Sequence, residues 1–269
     1  MREARGGTLI VGGGFAGASV ARKLGARGAT IVSPHNFVLY TPLLPEAASG
    51  TLEPRHVVVP LRMMCPAAEL VLGSVTDLDV ERRMATVDSH VGPIELRCEN
   101  GVVAVGAEPR VVPIPGLREH AVGFNSLADA IYLRNHVLGE LEAAEAEATD
   151  EGIERHLTFV FVGGGYAGVE ALAELSDLVH DACRHYPRLR SRPRRWVLVE
   201  AAPAILAQIS EPLGRYAHHE LVSRGVEILT STRLSRVDAD GVELSDGTWI
   251  PTHTVVLTAG VRPSRAIAG

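Results

Sequence analysis

The chain has 269 residues, 46% of them hydrophobic and 22% charged. It is nearer two domains than one and can bury a large core without disulfides or metal. A net charge of −6 and an aromatic content of 4% exclude a basic nucleic-acid surface and a base-stacking platform. Three cysteines, Cys65, Cys98 and Cys183, exclude a secreted disulfide framework and fit a reducing cytoplasm.

No apolar run reaches the roughly 18 residues that span a bilayer. Arg2 and Arg5 ahead of the apolar stretch 8–21 imitate a secretory leader. Gly12, Gly13, Gly14 and Gly17 interrupt it, so it reads as folded structure. Leu9–Val11 suits a buried parallel strand, and the glycines follow at once. A helical pattern then carries Val20 and Leu24. The next strand is 30–32, with Ser33 at its end. Short alternating runs at 70–75, 84–87 and 94–97 read as a meander. A buried-type strand at 102–105 ends at Gly106, and Pro113, Pro115 and Gly116 read as a domain junction.

Asn125 or Ser126 caps a helix through Ile131, Asn135 and Leu138. Its acidic, alanine-rich continuation, 140–154, reads as a solvated helix end and loop. The strand 159–162 and a second glycine turn follow, then a helix carrying Val169, Leu172, Leu175 and Val179. That helix runs to about Cys183 and gives way to a basic loop. A strand 196–199 ends at Glu200. A helix 212–224, a strand 226–230, a hairpin turning at Asp246–Gly247 and a last strand 254–259, ending at Gly260, complete the order.

The two glycine turns are one device used twice. GGGFAG at 12–17 and GGGYAG at 163–168 differ by one ring hydroxyl and lie 151 residues apart, about one domain. In the spacing GxGxxG, Gly12 and Gly163 permit the turn out of the strand. Gly14 and Gly165 let backbone approach a pyrophosphate. Gly17 and Gly168 let helix and strand pack closely. Phe15, Ala16, Tyr166 and Ala167 open the two helices, whose free N–H groups attract phosphate. The expected architecture is therefore α/β, with two Rossmann-like dinucleotide-binding folds.

In this fingerprint an acid at the end of the next strand binds the ribose. Glu200 fills that place in the second copy and is followed by Ala201 and Ala202, with no arginine for a 2′-phosphate, which favours NAD over NADP. Ser33 fills it in the first copy and recognises ribose less specifically.

With these motifs in place, the chain resembles the type II NADH dehydrogenases, the single-subunit NADH:quinone branch of the flavin-dependent pyridine nucleotide oxidoreductases. GGGFAG at 12–17, LYTPLLPEAASGTLEP at 39–54, VAVGAEP at 103–109, GGGYAGVEALAEL at 163–175, VEAAP at 199–203 and TAGVRPS at 258–264 carry the resemblance in the family's order. It implies an FAD-binding domain over 1–118, an NAD-binding domain over 119–261 and a return linker over 262–269. Ser33 takes the FAD ribose position, where many relatives carry an acid. Thr41, Pro42 and Leu43 pass the flavin ring, Val75 offers backbone to the adenine, and Gly106 lies close to FAD. Glu170 matches the family's active-site glutamate, and Ala259 and Gly260 close over the nicotinamide. The implied reaction is hydride transfer from NADH to FAD, with electrons passed to a quinone.

The segment 39–50 lacks the cysteine pair of the disulfide reductases, and the three cysteines fit no sulfide-oxidising arrangement. The resemblance further implies chain beyond Gly269 that completes the FAD fold, binds quinone and anchors peripherally to the inner face of the cell membrane. A first fold lacking that part is expected to hold FAD weakly. A non-catalytic NAD(H)-binding module and a flavin reductase with a protein acceptor such as ferredoxin stay open as alternatives, as does homodimerisation. No metal site is expected: His180, Cys183 and His185 have no fourth ligand, and His218 and His219 point to different helix faces. The loop from Arg184 to Arg195, six arginines in twelve residues, reads as solvated, with anionic lipid or NADH steering as alternatives.

Overall fold

Both glycine repeats form strand–turn–helix units in the computed structural model, which describes residues 2–110, 112–258 and 260–264. The chain divides into two compact units. Of the described residues, 2–40, 58–108 and 262–264 make the first; 41–57 and those between 109 and 261 make the second.

In the first unit β1 (Thr8–Val11) leads through the glycine turn into α1 (Phe15–Leu24) and on to β2 (Thr30–Ser33). The strands β3 (Glu69–Asp79), β4 (Met84–Ser89), β5 (Gly92–Arg97) and β6 (Asn100–Val103) follow. They form one seven-stranded sheet in the order residues 2–3, β5, β4, β3, β2, β1, β6. β6, β1, β2 and β3 run parallel, while β3, β4 and β5 form the antiparallel meander. Side chains alternate between faces along a strand. Leu9 and Val32 accordingly join one core with Val71, Val87 and Leu96, and Ile10 and Ile31 join another with Ala18, Ala21 and Leu61. Burial on both faces explains why β1 and β2 read as unbroken apolar runs. Each fully buried leucine or isoleucine stabilises by about 1.5–3 kcal/mol.

The second unit begins with a short helix, Leu44–Ser49. After it come α2 (Leu127–Ala146), α3 (Asp150–His156), β7 (Thr158–Val162), α4 (Tyr166–Ala182) and β8 (Arg195–Val199). The remaining elements are α5 (Glu211–Ser223), β9 (Val226–Leu229), β10 (Leu234–Asp238), β11 (Gly241–Leu244), β12 (Trp249–Pro251) and β13 (Thr254–Leu257). Residues 122–123, β13, β7, β8 and β9 make a five-stranded, all-parallel sheet in that order. Phe159 and Trp196, register partners on β7 and β8, stack with ring centroids 4.4 Å apart. The antiparallel sheet β10–β11–β12 shares a core with it, joining Val160, Val197 and Val199 to Val237, Val242 and Ile250.

The α/β class and the element order follow the sequence pattern, with differences that have local causes. The units part at Glu108–Pro109, ten residues before the expected 118, and 41–57 belongs to the second unit rather than the first. Pro113–Gly116 falls within the second of these units. The Pro115 carbonyl accepts from the Val237 amide, and Gly116 (φ 73°) packs so tightly that a Cβ would lie 1.9 Å from the Val237 oxygen. The strand β6 starts and ends two residues before the expected 102–105, and its pairing with β1 closes with the bond from the Ala104 amide to the Val11 carbonyl. Ser126 is the cap of α2, in a reciprocal box with Asp129.

The acidic stretch 140–154 is not a solvated end and loop. The helix α2 continues through it to Ala146, and α3 starts again at Asp150 behind a Thr149 cap. It meets the basic loop: Arg188 donates to the carbonyls of Glu145 and Glu147, and Arg192 pairs with Asp150 at 2.6 Å. Exposed pairs of this kind contribute about 0.2–1 kcal/mol each. Among the described residues no helix is long and apolar enough to cross a membrane.

Candidate functional site

Each turn is built by the same bonds. The amide of Gly12 donates to Val32 at 2.8 Å, and that of Gly163 donates to Val199 at 2.9 Å. Both glycines hold a positive φ, 107° and 115°, a conformation in which a side chain is strained. A Cβ on Gly17 would sit 1.9 Å from the Gly12 oxygen, and one on Gly168 would sit 1.9 Å from the Gly163 oxygen. These two glycines are therefore demanded by helix–strand contact. Gly14 and Gly165 differ, since a Cβ on either would meet nothing within 4 Å. No protein atom requires a glycine there, and the open space is what an approaching ligand needs.

The helices that follow are open at their N-termini. Gly14 and Gly165 offer no capping side chain, and neither α1 nor α4 has an acid in its first turn. By contrast α2 and α3 carry side-chain caps and first-turn acids, and α5 begins with Glu211. The unpartnered N–H groups and the positive dipole end are thus kept at the two glycine turns, where an anion would be stabilised. Phe15, Ala16, Tyr166 and Ala167 are exposed around these openings.

The ribose positions diverge. The Glu200 carboxylate accepts from the Gly164 amide at 2.6 Å and the Ala202 amide at 2.7 Å, tying the end of β8 to the second turn. A carboxylate has about four lone-pair sites, so acceptors remain for ribose hydroxyls. Ser33 is buried, and its hydroxyl accepts the His35 amide at 3.3 Å. A Cβ on Gly13 would lie 2.7 Å from that hydroxyl oxygen, so the first turn closes down on a small side chain.

In the second unit the turn opens into a cavity of about 920 Å³ lined by Gly163, Gly165, Tyr166, Glu200, Thr258 and Gly260. Gly260 is left-handed (φ 55°), and its carbonyl accepts from the Arg110 amide at 3.1 Å. Ala259 lies outside the described residues. Sequence reasoning missed Thr258, whose hydroxyl donates to the carbonyls of Val162 and Gly163 and locks the turn from beneath. Its only sequence signal was a threonine at the end of an apolar strand.

Glu170 lies in the second turn of α4, on its exposed side. Partial burial of its carboxyl, with the nearby negative charge of Glu46, raises its pKa above the ordinary carboxylate value. Glu46 lies on the short helix 44–49, which packs against α4, and its Oε2 is buried without a hydrogen-bond partner. The same segment is tied down by Ser49, whose hydroxyl donates to Glu174 at 2.7 Å. Thr41 and Pro42 are exposed and Leu43 half-buried in a single helical turn ahead of it. In the first unit Val75 is half-buried beside a bulge in β3, and Gly106 (φ 67°) faces open space.

The cysteines are free and buried, and burial raises each thiol pKa. Cys183 points inward while His180 and His185 face solvent, so these three do not converge.

Comparison with known proteins agrees with this geometry. An external alternative NADH-ubiquinone oxidoreductase of Yarrowia lipolytica mitochondria is 32% identical over 95% of this chain and 48% of its own length. The type II NADH:quinone oxidoreductase Ndh of Mycobacterium tuberculosis is 30% identical over 96% and 58%. The chain thus spans about half the length of the curated relatives it matches. The structure of NDH2 from Plasmodium falciparum in complex with NADH superposes with a TM-score of 0.90 at 20% identity, covering 98% of this chain and 56% of that one, and shares the fold. Residues 7–269 match the pyridine nucleotide-disulphide oxidoreductase family, and with both dinucleotide turns in place the chain belongs to that family.

Proposed function

We propose that this chain supplies the dinucleotide-binding part of a flavin-dependent NADH dehydrogenase with a quinone acceptor. The observation that carries the reading is the pair of uncapped, glycine-opened helix N-termini, each set on the same strand geometry. The names of the relatives, NADH-ubiquinone and NADH:quinone oxidoreductases, point to donor and acceptor.

FAD fits the first unit. The open space above Gly14 accepts a pyrophosphate against the amides of Phe15, Ala16 and Gly17. Ser33 would serve its ribose, with Val75 and Gly106 as further backbone contacts. Bound there, FAD would supply the two-electron hydride chemistry that links NADH to a quinone. NADH would use the second turn, its pyrophosphate on the amides of Tyr166, Ala167 and Gly168 and its adenosine ribose on Glu200. Gly163, Gly165 and Gly260 would leave room for its backbone-hugging path. Glu170 would hold or pass a proton at its carboxyl, for which a raised pKa suits it. The roles of Thr41, Pro42, Leu43 and Ala259 rest on the resemblance alone, and peripheral membrane attachment and homodimerisation belong to the same proposal.

Reconstitution with FAD followed by anaerobic NADH tests the reading. A yellow protein that bleaches on NADH and is reoxidised by a short-chain quinone supports it. A protein that stays colourless but binds NADH reduces it to a nucleotide-binding module. Reoxidation by ferredoxin and not by quinone replaces the acceptor.

A further inference from the structure

We propose that Glu140, His156 and His253 form a binding site for a divalent transition-metal ion of the zinc class. The three side chains come from separate elements: the middle of α2, the last residue of α3, and the residue before β13. Glu140 Oε2 lies 2.7 Å from His156 Nδ1 and 3.3 Å from His253 Nδ1, and the two ring nitrogens lie 3.0 Å apart. All three side chains are largely buried, His253 being the most exposed at 26%.

The triangle is awkward for protons and natural for a metal. If both nitrogens donate to the one carboxylate oxygen, two N–H groups face each other across 3.0 Å. If only one donates, a single N–H must be shared between the carboxylate and the other ring nitrogen, whose lone pair lies beside the carboxylate oxygen. A cation accepts all three lone pairs at once. Zinc–nitrogen and zinc–oxygen bonds of about 2.0–2.2 Å place tetrahedral ligand atoms about 3.3–3.5 Å apart. One observed edge, 3.3 Å, matches that spacing; the other two, 3.0 and 2.7 Å, are shorter, so His156 and Glu140 would move apart by roughly half an ångström on binding.

Polar groups lie around the ligands at ion-pair distance. Asp240 Oδ1 lies 4.0 Å from the other nitrogen of His253 and is itself held by Arg155 at 2.9 Å. His136 lies behind the carboxylate, its Nδ1 3.9 Å from Glu140 Oε1 and its Nε2 3.0 Å from the Thr254 hydroxyl. The backbone beside His253 is fixed by buried Thr252, which donates to the Thr158 carbonyl at 2.5 Å. Two imidazoles and a carboxylate suit zinc, with a fourth position for water.

The place sets the ion apart from the dinucleotide cavity. β7 and β13 run parallel, so His156 and His253 mark their amino ends, while Gly163 and Thr258 mark their carboxyl ends at the dinucleotide cavity. The ion would staple α2, α3 and β13 a full strand length from that cavity. The assignment is independent of the proposed activity.

The test is zinc binding by the untagged chain, followed by metal analysis after dialysis, thermal melts and zinc X-ray absorption. The expected results are one zinc per chain, a melting temperature that rises with zinc concentration, and an absorption spectrum of two imidazoles with oxygen ligands. Glu140→Gln and His253→Asn, checked by circular dichroism, should each lose the zinc, while His180→Ala/His185→Ala should retain it. No zinc above background overturns the proposal and leaves an ion pair only. A sulfur-ligated or all-oxygen zinc, or undiminished binding in both folded variants, also overturns it. If either variant unfolds, the absorption spectrum of the wild-type chain decides.

Discussion

The two glycine turns share nearly every bond and differ at one strand end. In the second copy Glu200 grips the turn through the Gly164 amide; in the first a small buried Ser33 lies beneath Gly13. The helices differ as well. Glu170 has no acidic counterpart on α1, where the equivalent position is the exposed Ser19. The shared part is what any pyrophosphate requires: a strained turn, a missing side chain and unpartnered amides. The differing part is what can tell one nucleotide from another, because ribose recognition depends on the acceptor at the strand end. A duplicated cradle has been given two different selectors.

The largest expected effects test the shared part. Gly17→Ala and Gly168→Ala each place a methyl 1.9 Å from a backbone oxygen, and each should destabilise its own unit by about 2–4 kcal/mol in denaturant unfolding. Unequal losses would mean that the two turns are not mechanically equivalent. Glu200→Arg tests the difference. It removes the bonds to the Gly164 and Ala202 amides and should shift preference from NADH towards NADPH by up to about 3 kcal/mol in competing binding titrations. An unchanged preference would detach Glu200 from the ribose.

Gly14→Ala and Gly165→Ala separate binding from stability. Neither methyl meets protein, so unfolding should change by less than about 1 kcal/mol, while FAD uptake falls in the first variant and NADH binding in the second. Binding that survives would show that the openings above these glycines are not where phosphate sits.

The smallest effect concerns Glu170. Its folded-state pKa is raised by burial and by Glu46, so the folded protein holds this proton more tightly than the unfolded chain. The associated stability is complete below the ordinary carboxylate value and is lost as pH rises through the raised one. Glu170→Gln should therefore melt at or above the wild-type temperature at neutral pH and flatten that part of the pH profile. A variant that is less stable at neutral pH than wild type would reverse the assignment.

Local pattern made much of this legible. The glycine spacing, the apolar strands before it and the Ser126 cap depend on neighbours within a few residues, and periodicity reports such neighbours directly. Glu200 was reachable too, because the fingerprint states where an acid must fall. The parting of the compact units at Glu108 was not, since the proline cluster at 113–116 gives a stronger local signal, and its bonds to β10 are long-range. The acidic run 140–154 looked solvated because its partners, Arg188 and Arg192, lie some forty residues further on.

By itself the sequence determined the α/β class, the two dinucleotide turns and the residue types at each strand end, because backbone strain and helix capping are short-range demands. Tertiary structure alone decided that Thr258 locks the second turn, that Glu46 lies near Glu170, and that Glu140, His156 and His253 converge. Those groups are far apart along the chain. They meet only because strand pairing and helix packing bring distant segments together: Thr258 reaches the second turn through its strand, and Glu46 reaches Glu170 through two packed helices.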